Sequence, residues 1–494
     1  MTDSPLAVVV LAAGEGTRMI SRTPKVLHGF AGRSLLGHVL AAAAPLRAAH
    51  TVVVVGHGRD EVTAHLADIA PDAVAAVQEQ QLGTGHAVHI ALQALPPDAP
   101  GTVVIVPGDA PLLRPETLAE LLAVHGDRGS EVTLLSSVVP DPTGYGRVLR
   151  NADDTVAGIV EHRDASAEQR SVTEVAAGVY AVNHAFLRDA VSRLTSANEQ
   201  GEQYLPEIVA IARADGRTVG VVGAHHLDTA GVNDRVQLAA AHRTYNLRLL
   251  ESFMRGGVTV IDPASTWIDA NVQLEPDATV LPWSTLRGTT RVAAGALIGP
   301  RTELVDTTVG TDSRLTHTVA VGATVGSGVT VGPFAYLRPG TVLADGVHVG
   351  TFVEVKNSDV GTGSKVPHLS YVGDASIGEH TNIGAATVFV NYDGVEKHRS
   401  TIGDHARTGA DNMFVAPVTV GDGAYTAAGS VITNDVPPGA MGVARAQQRN
   451  VKGLVARRRA GSAADKAAQA ALARDNGEAT EDRRATSGGA SEDS

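Results

Sequence analysis

From Val325 onward an aliphatic residue returns every six positions: Val325, Val331, Leu337, Leu343, Val349 and Val355. A small residue usually follows it, as in Val325-Gly326, Val331-Gly332 and Val349-Gly350. A period of six fits neither an α-helix nor a simple alternating strand. It fits a parallel β-helix, whose short strands turn a corner at each hexad and stack coil on coil. The pattern resumes at Val360, Val366 and Val372, then at Ile377 and Ile383. It returns at Ile402, Thr408, Phe414, Val420, Thr426 and Ile432. Interrupted hexads are therefore expected from about residue 258 to residue 448, and breaks in the pattern are where to look for chemistry.

A chain of 494 residues is too long for one core. Its first half reads as α/β. Short apolar runs at 6–11, 51–55 and 103–106 predict buried parallel strands, and stretches at 34–44, 59–70, 85–94 and 115–125 predict helices between them. That alternation implies a doubly wound sheet with ligands at the carboxyl ends of its strands. Apolar spacings of three and four over 232–254, followed by Gly256-Gly257, predict a linking helix. The expected organisation is thus a Rossmann-like α/β domain over 1–231, a linker helix over 232–256, a parallel β-helix over 257–455 and a disordered tail over 456–494, where Ala, Gly, Ser and mixed charges take over.

Composition narrows the function classes. A net charge of −13 argues against a nucleic-acid partner. With no cysteine, disulfide scaffolds and thiolate metal sites are excluded, and a reducing cytosol suits the chain. No basic leader and no apolar stretch of about 18 residues is present. A cytoplasmic protein with no membrane insertion is expected.

Leu11-Ala12-Ala13-Gly14-Glu15-Gly16-Thr17-Arg18 directly follows the first predicted strand. Glycines there let backbone N–H groups approach a polyphosphate, and Arg18 and Lys25 add positive charge. By itself the loop is weak evidence. Met19 stands where a dinucleotide fingerprint has its third glycine, and no Gly-Lys-Ser/Thr loop exists. In the solenoid, Arg338 and Lys356 break the small-residue rule, and they lie three hexads apart. They should stack on adjacent coils at about 4.8 Å, where an anion between them would relieve their repulsion. The plainer alternative is two solvated cations with separate acidic partners, Glu354 among them.

Taken together, the first half resembles the sugar nucleotidyltransferases in the order and spacing of its motifs. These are LAAGEGTRM with PKVLH, Gln80-Gln81-Leu82-Gly83-Thr84-Gly85-His86-Ala87, Gly108-Asp109-Ala110-Pro111-Leu112, Gly144-Tyr145-Gly146-Arg147, Val160-Glu161-His162 and Gly231-Val232-Asn233. Joined to the hexads, the match narrows to the bifunctional N-acetylglucosamine-1-phosphate uridylyltransferase/glucosamine-1-phosphate acetyltransferase family, over roughly residues 5–450. The resemblance implies that Leu11, Ala12, Ala13, Gly14, Arg18, Lys25, Gln78, Gly83 and Thr84 meet UTP. Gly146, Glu161 and Asn233 would hold the sugar phosphate, and Asp109 with Asn233 one Mg²⁺.

For acetyl transfer the resemblance implies His368 as general base, with Arg338, Lys356, Tyr371, Asn382 and Lys397 on glucosamine-1-phosphate. Ala385, Asn391, Tyr392, Ala410, Ala428 and Arg445 would line the acetyl-CoA site. A lone histidine is more often structural, but the Asn391-Tyr392-Asp393-Gly394 loop breaks the hexads as a pocket wall would. The resemblance also implies a left-handed coil, against the usual crossover rule, and a homotrimer that shares its acetyl sites between subunits. The chain departs from the family in several places: Ala176 stands for a sugar-binding Asn and Ala410 for a Ser, Pro206-Glu207 for Thr-Asp, Pro107 for a polar or aromatic residue, and Leu454 for a Trp of some members. Two further readings remain open here: a nucleotidyltransferase whose solenoid is only an assembly or regulatory scaffold, and a purely structural or regulatory homologue.

Overall fold

The computed structural model describes residues 5–96 and 101–487, with side chains to 475. The first half is built on one mixed sheet. Its order runs Val219–Ala224, Val132–Val138, Glu174–Asn183, Thr102–Pro107, Leu6–Ala12, His50–Val55 and Val74–Val77, with the hairpin Arg147–Arg150/Val156–Val160 branching off Glu174–Asn183. Leu6–Ala12 lies parallel to both neighbours, whereas Glu174–Asn183 runs antiparallel to its own. The three apolar runs that predicted strands are these central ones, each extended by a residue or two.

They are continuously apolar because both faces are covered. Ala7 and Val9 pack into one core cluster, while Val8, Val10 and Ala12 pack into another on the opposite face. The predicted helices form at Leu35–Ala43, Arg59–Ile69, Thr84–Ala94 and Pro115–Asp127. Ser34, read as the first helical residue, instead caps the first of them, its hydroxyl accepting from Gly37 N at 2.9 Å.

The linking helix is Arg235–Arg255 and starts three residues later than the spacing predicted, because Asp234 caps it by accepting from Gln237 N at 2.8 Å. It ties the halves together. Ala241 packs with Phe30, Leu35 and Leu112 of the first half, and Leu250 enters the solenoid core. Asn246, 3% exposed, donates to Thr266 O at 2.8 Å and accepts from Ile268 N at 3.0 Å, so both its amide functions go to the first coil.

The second half forms three stacked parallel sheets, one for each side of a triangular coil. The hexad residues sort among them: Val331, Val349 and Val366 on one side, Leu337, Val355 and Val372 on the next, and Val325, Leu343, Val360 and Ile377 on the third. All of these are buried in one cluster that reaches from Leu250 to Val436. Strands inside the stack pair with the coils above and below, so most backbone polar groups of a coil are satisfied by its neighbours.

The tail differs from its compositional reading. Leu454–Arg458 and Ala463–Ser487 are helices, not disordered chain. Alanine is the best helix former and no proline interrupts the run. Ser462 accepts from Asp465 N at 3.2 Å, which caps it. Residues 488–494 of the expected tail lie outside the described residues.

Phe389 and Phe414 are the largest fully buried side chains of the solenoid, on adjacent coils with ring centroids 5.2 Å apart. Replacing Phe414 by Ala should cost the solenoid about 3–5 kcal/mol, measured as a lowered denaturation midpoint, because a stacked prism cannot collapse into the space one ring leaves.

Candidate functional site

At the carboxyl ends of the parallel strands lies a cavity of about 430 Å³. Of the residues expected to meet UTP, Leu11, Ala12, Ala13, Gly14, Lys25, Gln78, Gly83 and Thr84 line it; Asp109, Gly146 and Glu161 line it too. Arg18 does not. It sits exposed on the 3-10 turn Thr17–Met19, outside the lining.

Local backbone demands explain the glycines. Gly16 has φ +63°, and a Cβ there would come within 2.6 Å of Lys25 Cβ, so glycine lets the lysine fold under the loop. Gly83 has φ +105° and precedes the helix Thr84–Ala94; a Cβ would meet Gln203 O at 2.5 Å. Gln78 is held in place by donating to His86 Nδ1 at 2.9 Å, and Gln81 donates to Ala13 O at 2.8 Å. Thr84 accepts from Leu205 N at 3.0 Å, which leaves its hydroxyl proton free to donate.

The two expected Mg²⁺ ligands converge. Lys25 Nζ makes a short contact with the Asp109 carboxylate and donates to Asn233 Oδ1 at 3.2 Å. Val232 N donates to Asp109 O at 2.8 Å, which fixes the second segment against the first. An ammonium already occupies the point where both oxygens aim, so the pair accepts positive charge. Among the described residues no group of three or more His, Cys, Asp or Glu gathers to hold a metal. A Mg²⁺ held by Asp109 and Asn233 would therefore complete its shell with phosphate oxygens and water, as this ion usually does.

Where the sugar is expected, burial and then the nearby Asp164 charge push the Glu161 carboxyl above the usual glutamate range. A Cβ on Gly146 would lie 3.1 Å from Glu161 Oε1, so glycine permits that approach. Arg147, 1% exposed, donates to Tyr145 O and to His162 Nδ1, holding the 144–146 loop from beneath. The motif reading did not single out Gln81, Tyr180 or Glu202, all of which line the cavity. Gln81 was visible within its motif, whereas Tyr180 carries only the alternation of its strand. The departures Pro107, Ala176 and Pro206 also face this cavity.

In the solenoid, Arg338 and Lys356 follow Leu337 and Val355, which pair in register, so they share one corner on adjacent coils. Neither awaits an anion, however. Arg338 bonds Glu354 at 2.8 Å, and Lys356 bonds Asp374 at 3.1 Å. The plainer expectation of separate acidic partners is what these side chains adopt in the free chain.

Asp374 was not foreseen. Burial raises its carboxyl, but hydrogen bonds from Asn357, Lys356 and Asn391 outweigh that and hold it below the usual range. Asp374 shares an open groove with Lys356, Asn357, Lys397 and Arg399. A signal existed: Gly340, Asn357 and Asp374 all have positive φ and bond in register at one corner, where Gly, Asn and Asp are favoured. Asn391 also donates to Tyr371 Oη at 3.3 Å.

His368 is exposed and ends a strand of a different sheet, Lys365–His368, so it lies at another corner and outside this groove. Above it rises a column of small residues. Ala386 N donates to His368 O, Asp411 N to Ala385 O at 2.7 Å, and Gly429 N to Ala410 O at 2.9 Å. Ala428 stacks on Gly409, and Arg445 reaches Gly429. Asn382 sits on the coil after Lys365, paired with it, and Tyr392 is exposed on the hexad-breaking loop. One chain thus stacks Ala385, Ala410, Ala428 and Arg445 above His368, whereas Asn391, also expected at acetyl-CoA, bonds Asp374 at the corner of the phosphate cations.

Glu161 gives a pH signature. Between the ordinary glutamate pKa and its raised value, the native state keeps a proton that the unfolded chain has lost, so stability falls as pH rises. Glu161→Gln should therefore melt above wild type at pH 8, with the gap closing towards pH 4 in calorimetry; a gap independent of pH would remove the argument.

Residues 8–200 match the MobA-like NTP transferase domain family. The chain is 58% identical over 476 residues to the Bifunctional protein GlmU of Streptomyces avermitilis, covering 96% of this chain and 99% of that protein. It is 58% identical over 474 residues to the Bifunctional protein GlmU of Thermobifida fusca, covering 95% and 98%. With the protein of the same name from Mycolicibacterium smegmatis it shares 53% over 474 residues, covering 94% and 98%.

Proposed function

The chain belongs to the bifunctional GlmU family, and from that premise we propose how its two halves make UDP-N-acetylglucosamine. Glucosamine-1-phosphate is acetylated from acetyl-CoA on the solenoid, and the product is uridylylated from UTP in the first half. The observation that carries this reading is the cavity in which the glycine loop, Gln78, Asp109 and Glu161 meet around a cation-accepting pair.

In uridylyl transfer a phosphate oxygen of N-acetylglucosamine-1-phosphate bonds to the α-phosphorus of UTP, and the bond to the pyrophosphate leaving group breaks. No protein nucleophile is required, so the work is positioning and charge neutralisation. Gln78, Gly83 and Thr84 orient the uracil, Gly146 and Glu161 the sugar, and Lys25 the phosphates. Asp109 and Asn233 would hold Mg²⁺, which would supply further charge neutralisation there.

In acetyl transfer the 2-amino nitrogen bonds to the acetyl carbon while the C–S bond of acetyl-CoA breaks. His368 takes the amine's proton, which can then pass to the departing thiolate. Lys356, Arg338 and Lys397 hold the sugar's phosphate, displacing Glu354 and Asp374 from their partners. The Ala385–Ala410–Ala428 column offers a surface free of bulky side chains for the CoA arm, and Arg445 a cation for one of its phosphates.

His368 and the cation corner occupy different sides of the coil, so a neighbouring copy must bring the two together; this supports a homotrimer. Among the described residues no helix is long and apolar enough to cross a membrane, and we assign the activity to the cytoplasm. The scaffold-only alternative draws on the two acid pairs, and acetyl transfer by the wild type would exclude it.

Crossed variants test the division of labour. His368→Ala should lower acetyl transfer about 10²–10⁴-fold and leave uridylyl transfer intact; unchanged acetyl transfer would remove the base. Asp109→Ala should abolish pyrophosphate release and spare CoA release, the two products being followed separately.

A further inference from the structure

The loop that carries Tyr392 and Lys397 is braced from within. These two residues form an antiparallel bridge, and His398 N donates to Asn391 O at 2.8 Å. Asp393 accepts from Val395 N at 2.8 Å and from Glu396 N at 2.7 Å. A loop braced this way takes its direction from its two ends. Asn391 fixes one of them by its bond to Asp374. At the other stands Arg399, the last residue before the strand Ser400–Ile402.

The Arg399 side chain is 40% exposed, yet its guanidinium is committed to four acceptors. Nε donates to Ser376 Oγ at 2.8 Å and Nη1 to Asn357 O at 3.1 Å, while Nη2 donates to Ala375 O at 2.9 Å and to the Asp359 carboxylate. Asp359–Val360 pairs with Ala375–Ile377, which pairs in turn with Ser400–Ile402. One side chain thus ties three successive coils. An exposed ion pair alone stabilises little. A planar fork that also bonds two backbone carbonyls is held in one geometry, as the point charge of a lysine could not be.

What this tether sets in place is another cation. Lys397, two residues earlier, shares the open groove with Lys356, Asn357 and Asp374. Asn357, whose carbonyl accepts from Arg399, also donates through Nδ2 to Asp374 at 2.6 Å, and Asp374 bonds Lys356 at 3.1 Å. Arg399 therefore joins the base of the loop to the same residues that order the groove.

We propose that Arg399 is a positioning residue for acetyl transfer: it holds Lys397 at the phosphate corner and does not itself bind the phosphate. The inference rests on the acetyl-transfer reading and adds to it a residue outside every motif.

The test is steady-state acetyl transfer by the full-length protein, followed as CoA release, for wild type, Arg399→Met, Lys397→Met and the double variant. Arg399→Met should raise KM for glucosamine-1-phosphate about 5–30-fold and change kcat less, the pattern of a lost binding contact. On top of Lys397→Met, the same substitution should add no more than about twofold, because the two residues act as one. Additive effects would overturn the assignment, since Arg399 would then act independently of Lys397. A wild-type KM in Arg399→Met would overturn it too. Unaltered pyrophosphate release and melting temperature verify the fold; if Arg399→Met melts early, Arg399→Lys, which keeps a cation for Asp359, carries the same comparison. If the wild type itself releases no CoA, the acetyl-transfer reading falls first, an outcome distinct from failure of Arg399 alone.

Discussion

A coil of the solenoid cannot exist alone. Its strands of two to four residues are too short to bury a face, and their N–H and C=O groups find most of their partners in the coils above and below. That mutual dependence fixes the register, and the register fixes the chemistry. Because Leu337 pairs with Val355, the residue after each must emerge at the same corner. The interior is lined by Val, Ile and Leu with few aromatic rings, so each side of the prism keeps the same width from coil to coil. The loop containing Tyr392 and Lys397 leaves the stack between Val388–Val390 and Ser400–Ile402 without disturbing it.

The first half reaches the same end by another route. Parallel strands bring the loops after Ala12 and Pro107 to one edge, and the segment before the linking helix is bound to the second of them through Val232 and Asp109. Lys25, Asp109 and Asn233, far apart in sequence, meet there. The linking helix then carries the chain from Asn233 to the first coil, with Asn246 spending its whole amide on that junction.

Much of this was legible in the sequence, for physical reasons. A six-residue period has few structural solutions, and glycines after a strand point to a close backbone approach. What stayed hidden depended on contacts that no spacing reports. Tyr180 reads as one more apolar residue of a buried strand, and only its unpaired hydroxyl distinguishes it. Glu354 and Asp374 sit among cations whose spacing alone suggested a waiting anion. The tail misled because Ala mixed with charges suits both a solvated coil and a helix, and the Ser462 cap favours the helix. Arg18 was placed by motif order, but it sits exposed on its turn and outside the cavity lining.

The acid partners of Arg338 and Lys356 have a bearing on selectivity among small anions. A ligand entering that corner must outcompete carboxylates that are already well positioned, one of them fixed by three donors at once. Chloride, with one charge to share between two cations, would offer less in exchange. On the proposed acetyl-transfer reading, a doubly charged phosphate ester would satisfy both cations together and leave each carboxylate to its remaining donors or to water. On that reading the corner would act as a valency filter, its two cations held by carboxylates until a ligand of higher charge density arrives.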